Sequence, residues 1–306
     1  MARFELNILG CGAATPTQRH SPSAQVVNVR DKLFMVDCGE GVQLNWRRMK
    51  LNMSRLGHIF ISHLHGDHCF GLPGLLSTMS LLGHGGEMVI HAHPDFEQVF
   101  MPFLQYFCRE MTYTLRFEPF YMTSDEPIYS DKGLVVKTIP LRHRIPACGF
   151  LFEEQPGERH LRGDVAQFYD IPVTALADIK RGADYVMPDG RVIPNDHLTT
   201  PPTPPARYAY CCDTAYSERI IPYIEGVDVL YHDATYGDDA AQYARQTLHS
   251  TARQAATIAR EAKVGQLILG HFSGRYRDES ILLDEARQVF ENTVLAHEGM
   301  RCVLRR

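Results

Sequence analysis

The segment His63-Leu64-His65-Gly66-Asp67-His68 puts four metal-binding side chain candidates within six residues. Side chains alternate along an extended chain, so His63 and His65 share one side. Gly66 permits a sharp turn, which aims Asp67 and His68 at a second point close by. Such a set suits two metal ions side by side rather than one closed structural site. Imidazole and carboxylate donors without thiolate favour Zn²⁺ and leave positions for water. Manganese and iron accept the same donors.

Strands and helices must deliver this segment. Residues 59–61 read as a buried strand running into it, and residues 72–82 as a helix leaving it. Upstream, residues 3–9 alternate polar and apolar like a first strand, and 6–9 end at the Gly10-Cys11-Gly12 turn. Two short β-rich runs, 25–29 and 33–36, flank Arg30-Asp31-Lys32 as a hairpin. Residues 40–50 suit a helix with a basic face of Arg47, Arg48 and Lys50. Downstream, 88–91, 113–117, 134–139 and 149–153 read as strands. Strands over 208–212, 227–231 and 266–269 and helices over 250–262 and 279–291 repeat the alternation. The pattern predicts an α/β fold with helix-covered sheets, and it leaves open whether there is one sheet or two.

Composition narrows the function classes. The 306 residues are 44% hydrophobic and 22% charged, which excludes a disordered or fibrous chain. The formal charge of −5 excludes a uniformly basic nucleic-acid-binding surface, so any such contact is local. Fifteen histidines are many, and surplus histidine is either half-buried polar packing or metal ligation. None of the eight cysteines forms a C-x-x-C pair. With no apolar run approaching the ~18 residues of a membrane span and no leader-like start, a cytoplasmic chain with reduced thiols is expected.

Between residues 153 and 207 the pattern breaks. Eight prolines fall here, and only 164–169 and 174–179 look helical. Residues 154–196 are therefore expected to form an inserted flexible arm without a core of its own, on a single domain spanning 1–306.

Further motifs carry a resemblance. The histidine-rich segment is the signature of the metallo-β-lactamase superfamily. Residues Leu9 to Pro16, Phe34 to Gly41 and Arg48 to Leu51 resemble the ribonuclease Z (tRNase Z) family in its short, bacterial-type form. So do His232-Asp233-Ala234-Thr235-Tyr236, His249 to Ala256 and Leu269 to Tyr276, in the expected order. The likeness covers nearly the whole chain.

The resemblance implies an αβ/βα sandwich with a protruding arm, holding two Zn²⁺ per chain. It assigns His63, His65 and His143 to one metal and Asp67, His68 and His271 to the other, with Asp213 bridging both. It gives Asp67 the role of base and makes His249 the proton donor outside the metal shell. Asp37 would orient the metal loop through hydrogen bonds. It implies a homodimer, without a membrane, that cuts 3′ extensions from precursor tRNA. The arm resembles the family's tRNA-binding exosite, with Lys180 and Arg181 as contacts and Arg275 facing phosphate near the metals. Bacterial members usually carry a Gly-Pro pair near the arm's tip, whereas this chain has Ile171-Pro172, and residues 153–182 carry net charge −2. Two alternatives stand beside this reading: a small-molecule phosphodiesterase or esterase of the same fold, and a non-catalytic RNA-binding module. His91 and His93 form an H-x-H without an acidic partner and are expected to be structural.

Overall fold

The computed structural model describes residues 4–124 and 126–305. Two sheets of seven strands each form the body. The first runs, in spatial order, Arg301–Arg305, Phe4–Gly10, Ala24–Val29, Lys32–Val36, Leu56–Phe60, Glu87–Ala92 and Thr114–Pro119. Its first four strands are antiparallel, and from Lys32–Val36 onward it is parallel. The second runs Thr293–Leu295, Gln266–Gly270, Val229–Asp233, Arg207–Cys211, Cys148–Glu154, Leu134–Pro140 and Tyr129–Ser130. Here the first four strands are parallel.

Alternation along each strand sends side chains to two different cores. Phe4, Leu6, Ile8, Val27, Phe34 and Phe60 of the first sheet pack against Val136, Phe150, Phe152, Tyr208, Tyr210 and Tyr231 of the second. The intervening Val26, Met35, Ile59 and Ile90 face away and pack under Trp46, Leu72, Leu76 and Phe96 of the covering helices. On the outer face of the second sheet, helix Ala252–Glu261 buries Ala255, Ala256, Ile258 and Ala259. Both faces of both sheets are covered, so the strands read as apolar runs rather than as clean alternation.

Helix Ala252–Glu261 begins two residues later than the sequence pattern suggests. Thr251 caps it by accepting from the Gln254 amide, and the Gln254 side chain accepts from the Thr251 amide. Helix Asp95–Phe107 was not legible, because Pro94 and Pro102 mask its period.

The insert differs from expectation in extent and in content. Residues Glu154–Pro205 form a compact unit, nine residues longer than the expected 154–196. Helices Gly163–Phe168 and Val173–Lys180 lie near the predicted ranges. They bury Val165 and Ile179 with Ile193 and Leu198, so the insert has a small core after all. The Asn195 side chain ties it together, donating to the carbonyls of Ile179 and Ala183, both at 2.7 Å. Four scattered apolar positions among many prolines leave no periodic trace in the sequence.

Candidate metal centre

Strand ends build the site. Asp37 follows Lys32–Val36, and His63 follows Leu56–Phe60 by three residues. His143 follows Leu134–Pro140, Asp213 follows Arg207–Cys211, and His271 follows Gln266–Gly270. Carboxyl ends of neighbouring strands converge in this way on a common crevice. Asp37, Asp213 and His271 all adopt left-handed backbone, with φ of 55°, 57° and 61°. Such conformations cost on the order of 1–3 kcal/mol each in non-glycine residues and cluster at functional sites. Gly66 works differently from the sequence reading. It starts the short helix Gly66–Cys69 without positive φ, and a Cβ there would lie 2.3 Å from the Phe70 ring.

Asp213 divides the centre. Its Oδ2 lies 3.5 Å from His63 Nε2 and 3.7 Å from His143 Nε2. His65 Nδ1 completes this group, 3.0 Å from His63 Nε2 and 3.2 Å from His143 Nε2. Asp213 Oδ1 lies 3.2 Å from His68 Nε2 and 2.9 Å from His271 Nε2. Asp67 Oδ2 completes the second group, 3.5 Å from His68 Nε2 and 3.6 Å from His271 Nε2. Tetrahedral coordination with metal–nitrogen bonds of about 2.0–2.1 Å sets neighbouring donors about 3.3 Å apart. Both groups match that spacing. Among the described residues, the buried Nε2 atoms of His68 and His271 make no well-aligned hydrogen bond and face only the Asp213 and Asp67 carboxylates, an arrangement that a cation between them satisfies. The residues therefore fit two metal ions sharing one carboxylate.

The opposite ring nitrogens are held from behind. Asp37 Oδ2 accepts from His68 Nδ1 at 2.7 Å, from Ser62 Oγ at 2.8 Å and from the Tyr210 hydroxyl at 2.6 Å. Ser62 Oγ also sits 3.0 Å from His63 Nδ1. The Leu248 carbonyl lies 3.2 Å from His143 Nδ1, and Thr235 Oγ1 lies 2.9 Å from His271 Nδ1. Such contacts fix ring orientation and tautomer. The Ala14 amide, itself left-handed at φ 60°, donates to Asp67 Oδ2 at 2.8 Å.

Electrostatics divide the ligands. Burial, with the neighbouring histidines, pulls His63 and His65 below the usual imidazole range and takes His143 to about 4. Burial also opposes charge on His68 and His271, yet the carboxylates around them win, raising both, His271 to about 10. Asp67 is held well below the usual carboxylate range: burial pushes it up, and His68 and His271 outweigh that. Cys212 lies in the second group, but burial raises its thiol far above the ordinary value. It donates to Asp213 Oδ1 at 3.2 Å as a neutral group.

The ribonuclease Z of Phocaeicola vulgatus is 54% identical over 98% of this chain and 97% of its own. That of Parabacteroides distasonis is 53% identical over 98% and 99%. The chain belongs to the ribonuclease Z family. A family model described as anti-Pycsar protein Apyc1 also matches residues 4–157. The crystal structure of human tRNase Z, short form, superposes with a TM-score of 0.71 at 24% identity, covering 99% of this chain and all of that one. The metallo-β-lactamase fold protein YhfI from Bacillus subtilis superposes at 0.68 and 20% identity, over 98% of each chain. The fold is thus that of the metallo-β-lactamase proteins.

Within this ribonuclease Z family chain, His249 lies outside both ligand groups and lines the same pocket of about 640 Å³. Its Nδ1 lies 2.8 Å from Asp233 Oδ2. Asp233 is fully buried; burial pushes its carboxyl up, and His249 pulls it down further. Sequence reasoning left the partner of His249 unassigned. The signal was available in His232-Asp233-Ala234-Thr235, where Asp233 ends a buried strand. Thr235 and Ala14 lie within quoted motifs, yet neither was given a role, because a hydroxyl or a backbone amide behind a ligand has no spacing rule.

Arg275 lies over the rings of Tyr243 and Tyr236, at 4.6 and 5.5 Å. Within the insert, Arg181 pairs with Asp178, and Lys180 ends helix Val173–Lys180. His91 is buried, stacked on Phe60 at 4.5 Å, and shares a hydrogen bond with His58 at 3.0 Å. His93 Nδ1 accepts from the Asp95 amide at the start of helix Asp95–Phe107. His20, which had no constellation in the sequence, lies 3.1 Å from Glu298 and 3.4 Å from Glu279.

Proposed function

We propose that this protein is a zinc-dependent endoribonuclease that removes 3′ extensions from precursor tRNA. It leaves a 3′-hydroxyl on the tRNA and a 5′-phosphate on the trailer. Identity of 54% with a ribonuclease Z over 98% of this chain, together with two His/Asp groups that share Asp213, supports this reading.

His63, His65, His143 and Asp213 would hold one Zn²⁺, and His68, His271 and Asp213, with Asp67 beside them, the other. Nitrogen and carboxylate donors without thiolate, in an open pocket, suit catalytic zinc. Bound there, paired ions acidify water and offset charge on phosphoryl oxygens. The chain's own groups handle the protons. Asp67, fixed by the Ala14 amide and kept ionised by its neighbours, takes the proton of the attacking water. His249, oriented by Asp233, gives a proton to the leaving ribose 3′ oxygen. Asp37 holds His68 and the Ser62–His63 turn in register.

The insert is read as the tRNA-binding exosite, with Lys180 and Arg181 as its cations, and Arg275 as a phosphate contact beside the metals. A homodimer is supported by exposed Val99, Phe103, Tyr106 and Phe107 on helix Asp95–Phe107, with Phe70 beside them. Among the described residues no helix is long and apolar enough to cross a membrane. All eight cysteines are free, which supports a cytoplasmic setting.

The decisive experiment is incubation with a 3′-extended precursor tRNA and mapping of the cut. One cut just beyond the acceptor stem, abolished by chelation and restored by zinc, is expected. Cleavage of small phosphodiesters with no action on the precursor would point to a small-molecule enzyme instead.

A further inference from the structure

A second groove leaves the catalytic pocket. It has a volume of about 740 Å³ and shares His143 and Arg144 with the metal site's lining. The loop after strand Leu134–Pro140 forms one wall, and Ser217 with Arg219 forms part of the other. Arg142, Arg144 and Arg219 line it, and all three are exposed. No carboxylate forms an ion pair with any of them among the described residues. The nearby Glu218 accepts instead from the Tyr216 hydroxyl at 2.9 Å. Three unneutralised guanidiniums around one groove make a local positive track on a chain of net charge −5.

The track is also fixed in place. The Arg142 carbonyl accepts from the Ala215 amide at 2.9 Å, and the Arg142 amide donates to Thr214 Oγ1 at 3.2 Å. Thr214 and Ala215 directly follow Asp213, so the Arg142 backbone is referenced to the carboxylate that both ligand groups share. The floor is apolar, with Met122, Leu141 and Ile145. Charged edges over an apolar floor suit a single strand, whose phosphates meet cations while its bases lie on carbon.

We infer that this groove receives the single-stranded 3′ trailer of the substrate, with Arg142, Arg144 and Arg219 contacting its phosphates. The inference rests on the reading of the protein as a precursor-tRNA nuclease. On the mature side of the cut the RNA soon becomes a duplex stem, whereas the trailer continues unpaired. Backbone contacts carry no sequence information, so the groove accepts trailers of any sequence.

The test uses the zinc-loaded enzyme and precursors with trailers of one and six nucleotides. Arg142→Gln/Arg219→Gln should raise KM about tenfold for the longer trailer and leave the one-nucleotide trailer nearly unchanged. The slope of log(kcat/KM) against log[salt] should flatten by about 1.4, because each lost single-strand phosphate contact removes about 0.7. Arg142→Lys/Arg219→Lys keeps both charges and should retain most of the slope. Hydrolysis of bis(p-nitrophenyl) phosphate should be unaffected in both variants. Equal losses on both trailers, an unchanged salt slope, a charge-retaining variant as weak as the glutamine one, or a parallel loss on the small ester would each overturn the inference. Failure of the wild-type enzyme to cut either precursor would instead refute the underlying functional reading.

Discussion

Asp67 presents one oxygen to His68, to His271 and to the Ala14 amide. Asp67→Ala removes a metal ligand and the proposed base together while leaving both cores untouched. Precursor cleavage should fall below about a tenth of the wild-type rate even with zinc restored. A variant that retained more, at full metal content, would show that another group takes the proton. His249 belongs to a different class, because it touches Asp233 rather than either ligand group's shared carboxylate. His249→Ala should lower turnover by ~10²–10⁴-fold with zinc content unchanged. The loss should shrink on a substrate whose leaving group needs no proton. Asp233→Asn should give the same leaving-group dependence more weakly, since it disturbs the orientation of His249 without deleting the imidazole. Loss of metal in His249→Ala, or an equal defect on both substrates, would contradict the assignment.

Strands and the turns after them explain what sequence could and could not reveal. His63, His65, Asp67 and His68 were legible together because one turn carries them all. His143, Asp213 and His271 were legible only through family motifs, since they follow three strands of the second sheet that are far apart in the chain and are brought together by its topology. Asp233 was overlooked although its motif was noticed, because a carboxylate behind a histidine has no spacing rule of its own. Helix Asp95–Phe107 was hidden by its prolines, and the insert's core by having four members only. Strand Glu87–Ala92 offers a test at this scale. His91 on it and His58 on Leu56–Phe60 share one hydrogen bond, so both cannot be protonated in place. Burial lowers His58 to about 4 and His91 to about 3. A folded pKa below the unfolded ~6.5 means that the pair's contribution is complete above pH 6.5. It is lost progressively as pH falls from about 6.5 to the folded values near 4 and 3, and levels off below them. The thermal midpoint of the metal-free protein should therefore drop over that window. His91→Gln, which keeps a partner for His58 but takes no proton, should show a shallower drop. Parallel curves for the two proteins would place the acid sensitivity elsewhere.

At the scale of the whole molecule, the body and the insert fold around separate cores, and every residue of the two candidate ligand groups belongs to the body. Excising only residues 156–194 would sever the pairing of His160–Leu161 with Thr199–Thr200. The better excision takes out residues 156–204. Glu153 and Arg207 are register partners on adjacent antiparallel strands, so a short Gly/Ser bridge spans the gap without strain. The shortened protein should fold, bind the same amount of zinc and hydrolyse bis(p-nitrophenyl) phosphate at near the full rate, because that ester needs only the pocket. Precursor tRNA is far larger than the pocket, and remote binding energy must place its scissile phosphate. Its cleavage should fall by at least about a hundredfold, mainly through KM, since the lost contacts serve binding before chemistry. Residual salt dependence should persist, reflecting the arginines of the body groove that the deletion leaves in place. If cleavage of the small ester fell in step with that of the precursor, the insert would be supporting the body's fold. The exosite reading would then be wrong.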